Sequence, residues 1–460
     1  MNKRKAAGVI LGLALFLSSG CAFIGLEKQV KPITDAGSIN GKIETDGPVS
    51  KTGHLAVVVF RVHPDGKKKV YAYKLLSQSG TYHLTVSPGV YEIAAFADES
   101  GDFIYDDDEP STIYRERITV RPGGYVSEVN LKITHSGSEP LDMPVNLSLT
   151  APEKDATRQQ LRIGKIISLD DDRFEDASGE MGLWKYDRFR KEIGGGVFFL
   201  ESYNPEKIPL LFIHGYTGTP RDFKFLVSQI DQKKYQPWFV FYPSAARIGI
   251  IADHLNAAVT QLHMIYKFRE MSVIGYSMGG LVGRAFVLKH AEEHPESRIK
   301  NFISIATPWK GHALADLRKL APTEVPSWQD LATDSELLQW LFSKRLPKGT
   351  DYYLFFAYDG DRNMMRDNND RFITLQSALD LRAQDEAKKV LGFNETHDDI
   401  LDSTEVAREL NSILGSAAPK KSKMISFSKL KDPLKKVFKK RDRRSESRKP
   451  ADSPSDSPAA

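Results

Sequence analysis

The sequence predicts a doubly wound, mostly parallel α/β sheet that is preceded by a small all-β, sandwich-like domain. In residues 208–415, five short apolar runs are separated by segments of helical periodicity, an alternation typical of a parallel sheet buried between helices. In residues 35–150, short β-branched and aromatic runs are separated by turn residues, as in a β-sandwich. We interpret residues 151–207 as a polar connector with one leading strand at Val197–Leu200.

The all-β domain is predicted from five runs and the turns between them. An acidic stretch over residues 98–109 follows the fourth run. Clustered carboxylates suit Ca²⁺, which takes oxygen ligands, but their spacing is not that of an EF-hand and favours a solvated acidic hairpin. The predicted strands are Leu55–Arg61, Val70–Leu75, Tyr82–Val86, Val90–Phe96 and Tyr125–Ile133.

The α/β region is predicted from five apolar runs and two helical patterns. Continuous apolar runs of this length fit strands that are buried on both faces of a sheet. The predicted strands are Ile208–Ile213, Trp238–Tyr242, Met271–Ile274, Phe302–Ala306 and Tyr352–Ala357, and the predicted helices are Ile250–Phe268 and Met278–His290.

A nucleophile elbow is indicated where the third apolar run meets the second helix. The sequence Gly275-Tyr276-Ser277-Met278-Gly279 fits G-x-S-x-G in the strand–turn–helix context that this motif requires. Such a turn would hold the Ser277 hydroxyl above the sheet, and the two glycines would leave space for the close approach of backbone. The N–H of Met278, the residue after the nucleophile, is then one predicted donor to an oxyanion.

The order of the other catalytic groups limits the candidates for the general base. In chains with this elbow, an acid and then a histidine follow the serine. Of the 11 histidines, only His312 and His397 follow Ser277 beyond its own helix. His312 comes directly after the fourth strand, so His397 alone also follows every plausible acid. The candidate acids after the fifth strand are Asp359, Asp361, Asp367 and Asp370.

These motifs resemble those of α/β-hydrolase lipases and esterases, including the lipase-like and GPI-inositol-deacylase-like groups. The resemblance covers about residues 195–405, and its other carriers are the His214-Gly215 loop and Thr307-Pro308-Trp309. It implies an α/β hydrolase fold for this part of the chain. It also implies that Asp370 is the acid, because Asp370-Arg-Phe-Ile373 fits the D-x-x-[VI] turn of the family, with Asp361 in reserve.

The resemblance extends to the residues around the acid and the oxyanion. Family members usually have glycine directly after the acid, where this chain has Arg371. In the HG-x-x-G loop of bacterial lipases, the residue after the His-Gly pair donates its N–H to the oxyanion, and here that residue is Tyr216. His214 is expected to be structural rather than catalytic.

The connection between the fourth and fifth strands, residues 312–350, is long enough to carry extra structure. Its apolar residues predict an amphipathic helix, which is either a lid over a lipid-handling site or a buried packing helix. The sequence favours neither role. The residues concerned are Leu331, Leu337, Leu338, Trp340, Leu341 and Phe342.

The first 20 residues have the pattern of a bacterial lipoprotein signal peptide. Lys3-Arg4-Lys5 is followed by the apolar run Ala6–Leu17, which is short for a transmembrane helix. Ser18-Ser19-Gly20 then precedes Cys21, the single cysteine, and this segment resembles a lipobox. The resemblance implies a diacylglyceryl anchor on Cys21 and, with Ala22 rather than Asp after it, the outer membrane of a bacterial cell envelope. The alternative is an ordinary signal peptide with an incidental cysteine.

Charge is distributed unevenly along the chain. The formal net charge is +4, yet residues 416–460 hold 14 Lys/Arg against 5 Asp/Glu, so the body is mildly acidic. An acidic body does not favour specific binding of nucleic acid. The basic tail is predicted to be disordered, and it would either lie on an anionic membrane surface or serve only for solubility.

Together these features predict a lipid-anchored serine hydrolase that cleaves carboxylic, including lipid, esters. The acyl-enzyme would form on Ser277, with His397 and Asp370 completing the triad. This chemistry requires no metal and no organic cofactor. Two alternatives stay open: an acyltransferase with the same triad, and a non-catalytic, membrane-anchored binding lipoprotein.

Overall fold

The computed structural model describes residues 20–47, 53–148, 161–294, 298–320, 323–359 and 368–415. Residues 1–19 of the predicted signal peptide lie outside the described residues, and so does the basic tail, residues 416–460. Among the described residues, a β-rich region ends at residue 148 and an α/β region begins at residue 161.

The β-rich region contains two four-stranded sheets. Its strands are β1 (Gly37–Thr45), β2 (His54–Val62), β3 (Lys68–Leu76), β4 (Gly80–Val86), β5 (Gly89–Asp98), β6 (Ser111–Val120), β7 (Tyr125–Val126) and β8 (Leu131–Ile133). One sheet has the order β4-β1-β7 with β8 also paired to β1, and the other has the order β3-β2-β5-β6. Ile39, Val57 and Ile93 belong to the buried core that both sheets share. This arrangement confirms the predicted sandwich-like domain.

Four strands of the β-rich region, β1, β6, β7 and β8, differ from the sequence-based prediction. β1 and β6 have no predicted counterpart, because their many polar residues hide the apolar alternation. The single strand predicted over Tyr125–Ile133 is wrong, because the chain forms two strands there: β7 ends at Val126 and β8 begins at Leu131. Between them Glu128 adopts a φ of 63°, a left-handed conformation that interrupts a strand.

Strand β2 explains how the β-rich region is attached to the rest of the molecule. Val57 and Val59 face the sandwich core, whereas Val58 and Phe60 face a second buried cluster that includes Met264 of the α/β region. The unbroken apolar run of this strand is therefore the signature of burial on both faces.

The α/β region is built on one mixed sheet of eight strands. The strands are β9 (Leu161–Ile166), β10 (Gly195–Phe199), β11 (Ile208–Ile213), β12 (Tyr235–Phe241), β13 (Glu270–Tyr276), β14 (Arg298–Ile305), β15 (Asp351–Ala357) and β16 (Lys389–Phe393). Their order is β16-β15-β14-β13-β11-β12-β10-β9, and only the β10–β12 pairing is antiparallel. This sheet confirms the predicted fold class. The predicted connector contributes two strands to it rather than one, so the sheet extends beyond the boundary predicted at residue 208.

The helices are α1 (Gly20–Thr34), α2 (Asp176–Trp184), α3 (Tyr186–Glu192), α4 (Lys224–Gln229), α5 (Ile248–Tyr266), α6 (Met278–Glu293), α7 (Ala313–Asp316), α8 (Pro326–Leu331), α9 (Glu336–Leu341), α10 (Leu375–Ala378), α11 (Leu381–Glu386) and α12 (Thr404–Leu414). Two apolar layers separate the helices from the sheet. Leu211 on one face of β11 shares a buried cluster with α5 and α6, and Leu210 on the other face shares one with α4 and α12. Burial on both faces explains why the central strands are continuously apolar.

In the segment between β14 and β15, the residues of the single predicted helix are divided between two short helices, α8 and α9. Leu331, Leu338 and Leu341 are buried in the same cluster as α5 and α6. This burial supports the packing role rather than the lid role for these helices, since a lid must leave its site without exposing core residues.

Helix α1 packs on the α/β region through one apolar face. Leu26, Val30 and Ile33 recur at helical spacing and are buried in the cluster of α5 and α6. Among the residues that the structure describes, no helix has both the length and the apolar character to cross a bilayer.

Candidate active site

The predicted nucleophile lies in a strained turn at the end of β13. Ser277 has a φ of 52°, which is unfavourable for a residue with a side chain, and α6 begins at the next residue. Its N–H donates to the carbonyl of Ile305 on the neighbouring strand at 2.8 Å. A Cβ on Gly275 or Gly279 would overlap backbone atoms of the facing segments, so both positions of the G-x-S-x-G motif require glycine.

The structure brings Ser277, His397 and Asp370 into one hydrogen-bonded line. His397 Nε2 is 3.0 Å from Ser277 Oγ, and His397 Nδ1 is 2.7 Å from a carboxylate oxygen of Asp370. The N–H of His397 also donates to the carbonyl of Asp370 at 2.8 Å, which fixes the two loops together. The three residues are 4%, 7% and 1% exposed, so bulk water has little access to the line.

Asp370 is held by its own turn. Its other carboxylate oxygen accepts the N–H groups of Phe372 at 2.9 Å and Ile373 at 2.6 Å. The reserve candidate Asp361 lies outside the described residues, as does Asp367. Asp359 is about half exposed and pairs with Arg371 at 3.5 Å, whereas the carboxylate that contacts His397 is that of Asp370.

The charge of Asp370 decides the electrostatic state of His397. Burial opposes the imidazolium ion and lowers the pKa of His397, but the negative charge and the hydrogen bond of Asp370 outweigh it, with help from Asp398. The net result is that the pKa of His397 is raised above its ordinary value of 6.5. An imidazole of raised basicity next to a hydroxyl is suited to accept the hydroxyl proton.

Two backbone N–H groups border Ser277 at the positions predicted for an oxyanion hole. Met278 begins α6, and Tyr216 follows Gly215 in the loop after β11. A Cβ on Gly215 would come within 2.9 Å of Ser277 Cβ, so this loop lies directly against Ser277. In the described part of the chain, neither N–H has a hydrogen-bond acceptor.

His214 supports this loop from below. It is buried, stacks on Tyr242 at 4.0 Å, donates from Nδ1 to the carbonyl of Gly215 and accepts the N–H of Tyr242 at Nε2. Burial lowers the pKa of His214 to about 4, so it stays neutral at physiological pH.

Comparison with known proteins gives the class of this region. A family model described as "Putative serine esterase (DUF676)" matches residues 205–343, which include the Tyr216 loop and the Ser277 elbow. Residues 205–343 are therefore similar to the members of this serine esterase family. The domain is therefore a carboxylic-ester hydrolase of the α/β-hydrolase type. Asp370 and His397 lie beyond the matched segment.

Solved structures similar to this region include proteins that are named as esterases or lipases. An esterase from Exiguobacterium antarcticum is 16% identical, with a TM-score of 0.35 over 48% of this chain and 97% of that one. Aspergillus fumigatus lipase B is 16% identical, with a TM-score of 0.37 over 48% and 56% of the two chains. A lipase-esterase related protein from Clostridium acetobutylicum is 14% identical, with a TM-score of 0.32 over 47% and 98%. Among curated proteins, no relative matches.

His312, the histidine that the order argument excluded, lies beside the acid loop of the esterase domain. Its Nε2 donates to the carbonyl of Phe372 at 2.8 Å, and its Nδ1 accepts the N–H of Leu314 at 3.1 Å. The ring of Phe372 packs against His397 with 5.1 Å between centroids. His312 therefore supports the loop of Asp370 through Phe372.

Tyr276 is a site residue that the sequence analysis missed. Its hydroxyl donates to the carbonyl of His397 at 2.9 Å and so ties the histidine loop to the nucleophile turn. Tyr276 and His397 are 121 residues apart, and no local sequence pattern predicts a contact over that separation. The only sequence feature that places Tyr276 in the turn is its position within the G-x-S-x-G motif.

The acidic stretch of residues 98–109 is organised by its own backbone. Asp98 accepts the N–H groups of Gly101 and Phe103, and Glu109 accepts those of Glu99, Ser100 and Asp106. Burial raises the pKa of Glu109 to about 7. These contacts fit a hairpin, but Asp98 and Glu109 are buried, so the prediction that the stretch is solvated is wrong for these two carboxylates. Within the described residues, no group of His, Cys, Asp or Glu side chains is arranged to hold a metal ion.

Proposed function

We propose that the chain hydrolyses carboxylic esters, lipid esters among them, through an acyl-enzyme on Ser277. The observation that carries this proposal is the Ser277–His397–Asp370 line, with distances of 3.0 and 2.7 Å, built on a nucleophile with a φ of 52°. Serine, imidazole and carboxylate in this geometry form the catalytic triad of serine hydrolases, which is recognised by its geometry and not by the positions of its residues in the sequence.

In the first half of the reaction, Ser277 Oγ attacks the ester carbonyl carbon while its proton passes to His397 Nε2. Asp370 accepts the proton of Nδ1 in a hydrogen bond and stabilises the imidazolium ion. The N–H groups of Tyr216 and Met278 would stabilise the oxyanion of the tetrahedral intermediate. The intermediate then collapses, the alcohol leaves with the proton from His397, and the acyl group stays on Ser277.

In the second half, a water molecule takes the place of the alcohol. His397 Nε2 accepts a proton from this water as it attacks the acyl-enzyme, and then returns the proton to Ser277 Oγ as the acid product leaves. The burial of the three side chains and their hydrogen bonds support this assignment. Each proton transfer passes along one hydrogen bond of His397 and needs no further protein side chain.

The test is covalent labelling of the full chain in detergent with a fluorophosphonate probe. Wild type should label, and Ser277→Ala and His397→Ala should not. Thr260→Val is the matched control, because Thr260 is a second buried hydroxyl that is hydrogen-bonded to a histidine, 2.7 Å from His294. A folded wild-type protein that neither labels nor hydrolyses p-nitrophenyl esters would contradict the proposal and favour the binding-protein alternative.

We also propose that Cys21 carries a lipid anchor that holds the enzyme on the outer membrane of a bacterial cell envelope. The support is the sequence pattern of residues 1–22. A lipid anchor would retain the chain on a bilayer without a spanning helix. Metabolic labelling with palmitate should mark the wild type, and Cys21→Ser should abolish the label and release the chain from the membrane fraction. A Cys21→Ser protein that stays labelled would exclude this anchor.

A further inference from the structure

A tryptophan of α8 is hydrogen-bonded to the tyrosine of the predicted oxyanion loop. Trp328 Nε1 donates to the hydroxyl of Tyr216 at 2.6 Å, and Trp328 is only 8% exposed. On its other side, Trp328 makes an edge-to-face contact with Trp184 at 6.3 Å. The side chain of Tyr216 is therefore held by a partner that is itself packed in place.

Helix α8 cannot easily move away from this loop. The buried carboxylate of Asp330 accepts Arg247 Nε at 2.8 Å and the N–H of Ile248 at 2.6 Å. The N–H of Ser327 donates to the carbonyl of Ala245 at 3.0 Å. Three hydrogen bonds from both ends of the helix to the segment after β12 fix α8 on the body of the domain.

The position of Tyr216 matters because its own backbone N–H borders the nucleophile. The loop has other contacts as well: His214 donates to the carbonyl of Gly215 at 2.8 Å, and Thr217 donates to Ser244 Oγ at 3.3 Å. None of these involves the side chain of Tyr216, whose hydroxyl accepts from Trp328. Thr217 also has a φ of 55°, a conformation that persists only when neighbouring contacts enforce it. The hydrogen bond to Trp328 supplies such a contact.

The far end of α8 is joined to the other side of the site. The N–H of His312 donates to the carbonyl of Leu331 at 2.7 Å, and His312 in turn donates to the carbonyl of Phe372, whose ring contacts His397. One rigid helix therefore contacts both the oxyanion loop and, through His312, the loop of the acid and the base.

We propose that Trp328 is a positioning residue that holds the Tyr216 N–H in place for the oxyanion through the Trp328–Tyr216 hydrogen bond. This inference rests on the proposed function of Ser277. Its consequence is that loss of the bond impairs the chemical step, in which the oxyanion forms, rather than the binding of the ester.

The experiment is a double-mutant cycle on the full chain with Trp328→Phe, Tyr216→Phe and the double variant. Phenylalanine keeps the ring and removes only the donor or the acceptor. Each single variant should lower kcat about tenfold with KM within about twofold, because a small misplacement of an oxyanion donor affects mainly the transition state. If one bond is responsible, the double variant should be no slower than the slower single variant.

Trp340→Phe is the matched control, since Trp340 on α9 packs against the same core and lies outside the machinery described above. It should leave kcat unchanged, and thermal unfolding should show that all the variants fold. Effects of the two single variants that multiply in the double variant, or a change in KM alone, would overturn the inference. So would full activity of Trp328→Phe. A wild type that neither labels nor hydrolyses esters would instead contradict the proposed function itself.

Discussion

Ser277 and His397 can be compared with Thr260 and His294, a second buried hydroxyl–imidazole pair between α5 and the end of α6. The distances are similar: 3.0 Å in the active site and 2.7 Å in the second pair. The second pair lies near the contact with the β-rich region, where Lys74 of β3 forms an ion pair with Glu293. A hydroxyl next to an imidazole is therefore not enough to define a nucleophile.

The two pairs differ first in the position of the carboxylate: Asp370 contacts His397 Nδ1 at 2.7 Å, whereas Glu293 lies 4.0 Å from His294 Nε2, the nitrogen that also faces Thr260. His397 has Asp370 on its second nitrogen, and that charge raises the pKa of His397. Near the second pair, His290 faces the amide of Asn256 at 2.8 Å, and burial keeps the pKa of His290 well below its ordinary value. An amide fixes the orientation of a ring without making it more basic, so a histidine in such surroundings is a poor base.

The two pairs differ also in the backbone that carries them. Thr260 lies within α5, in regular helix. Four of the non-glycine residues with positive φ lie instead in loops of the active-site side, namely Thr217, Ser277, Ala306 and Arg371. Strained conformations of this kind persist where the surrounding structure enforces them, and they are frequent in active sites.

The variant with the largest expected effect is Asp370→Asn, which gives His397 an amide partner like the one that His290 already has. The amide cannot stabilise the imidazolium ion and favours the wrong tautomer, so kcat should fall roughly 10⁴-fold. Ester hydrolysis by the full chain in detergent measures it, with Thr260→Val as the control that should keep wild-type activity. Retention of more than a tenth of the activity in Asp370→Asn would mean that Asp370 is not the acid.

A second test is Gly215→Ala, which fills space beside Ser277 and leaves the three side chains of the proposed triad unchanged. The new Cβ would lie 2.9 Å from Ser277 Cβ and 3.1 Å from the ring of Tyr276, so the oxyanion loop must shift. We expect kcat/KM to fall by roughly 10- to 100-fold. Gly249→Ala is the control, because a Cβ there meets nothing within 4 Å. Equal activities for the two variants would show that the loop does not take part.

The pH dependence of kcat/KM reports the basicity of His397 directly. The base must be neutral to accept a proton, and its pKa is raised above 6.5. Activity should therefore be complete on the alkaline side and fall about tenfold per pH unit below that pKa. The measurement is the hydrolysis of a p-nitrophenyl ester between about pH 5 and pH 9. An acid limb with its midpoint below 6.5 would indicate that Asp370 does not control the charge of His397 in the free enzyme.

The sequence was informative where chemistry is local. The elbow could be found because strand, turn and helix are contiguous at Ser277, and His397 because few histidines follow it. Asp370 needed a family pattern, since its role depends on a loop that meets His397 only in three dimensions. The contacts of Tyr276 and Trp328 join positions more than 100 residues apart, and no periodicity or spacing predicts such pairs.

The strands show the same limit. The central strands of the α/β sheet were predicted well, because burial on both faces makes them continuously apolar. The two edge strands, β9 and β16, were missed because their described residues are mostly half-buried or exposed and mix apolar with polar types. The division between β7 and β8 was missed because a single left-handed residue, Glu128, has no sequence signature.

The smallest expected effect concerns Arg371, which follows Asp370 where the family usually has glycine. The Thr260–His294 pair has no equivalent of this position in the comparison above. Arg371 has a φ of 80°, a conformation that costs an L-residue roughly 1–2 kcal/mol and glycine almost nothing. Arg371→Gly removes that strain but also increases the entropy of the unfolded chain, so the net gain in the free energy of unfolding should be about 0.5–1 kcal/mol. Because the Asp370 turn is unchanged, kcat should stay at the wild-type value.

Arg371→Ala is the control that separates strain from charge. Alanine retains the Cβ at a φ of 80° and, like glycine, loses the pairing of Arg371 with Asp359 at 3.5 Å. That pair is about half exposed and contributes little to stability. Chemical denaturation should therefore rank Arg371→Gly above both the wild type and Arg371→Ala. If the glycine and alanine variants were equally stable, the backbone at this position would not be strained, and any difference of both variants from the wild type would reflect the loss of the Arg371–Asp359 ion pair.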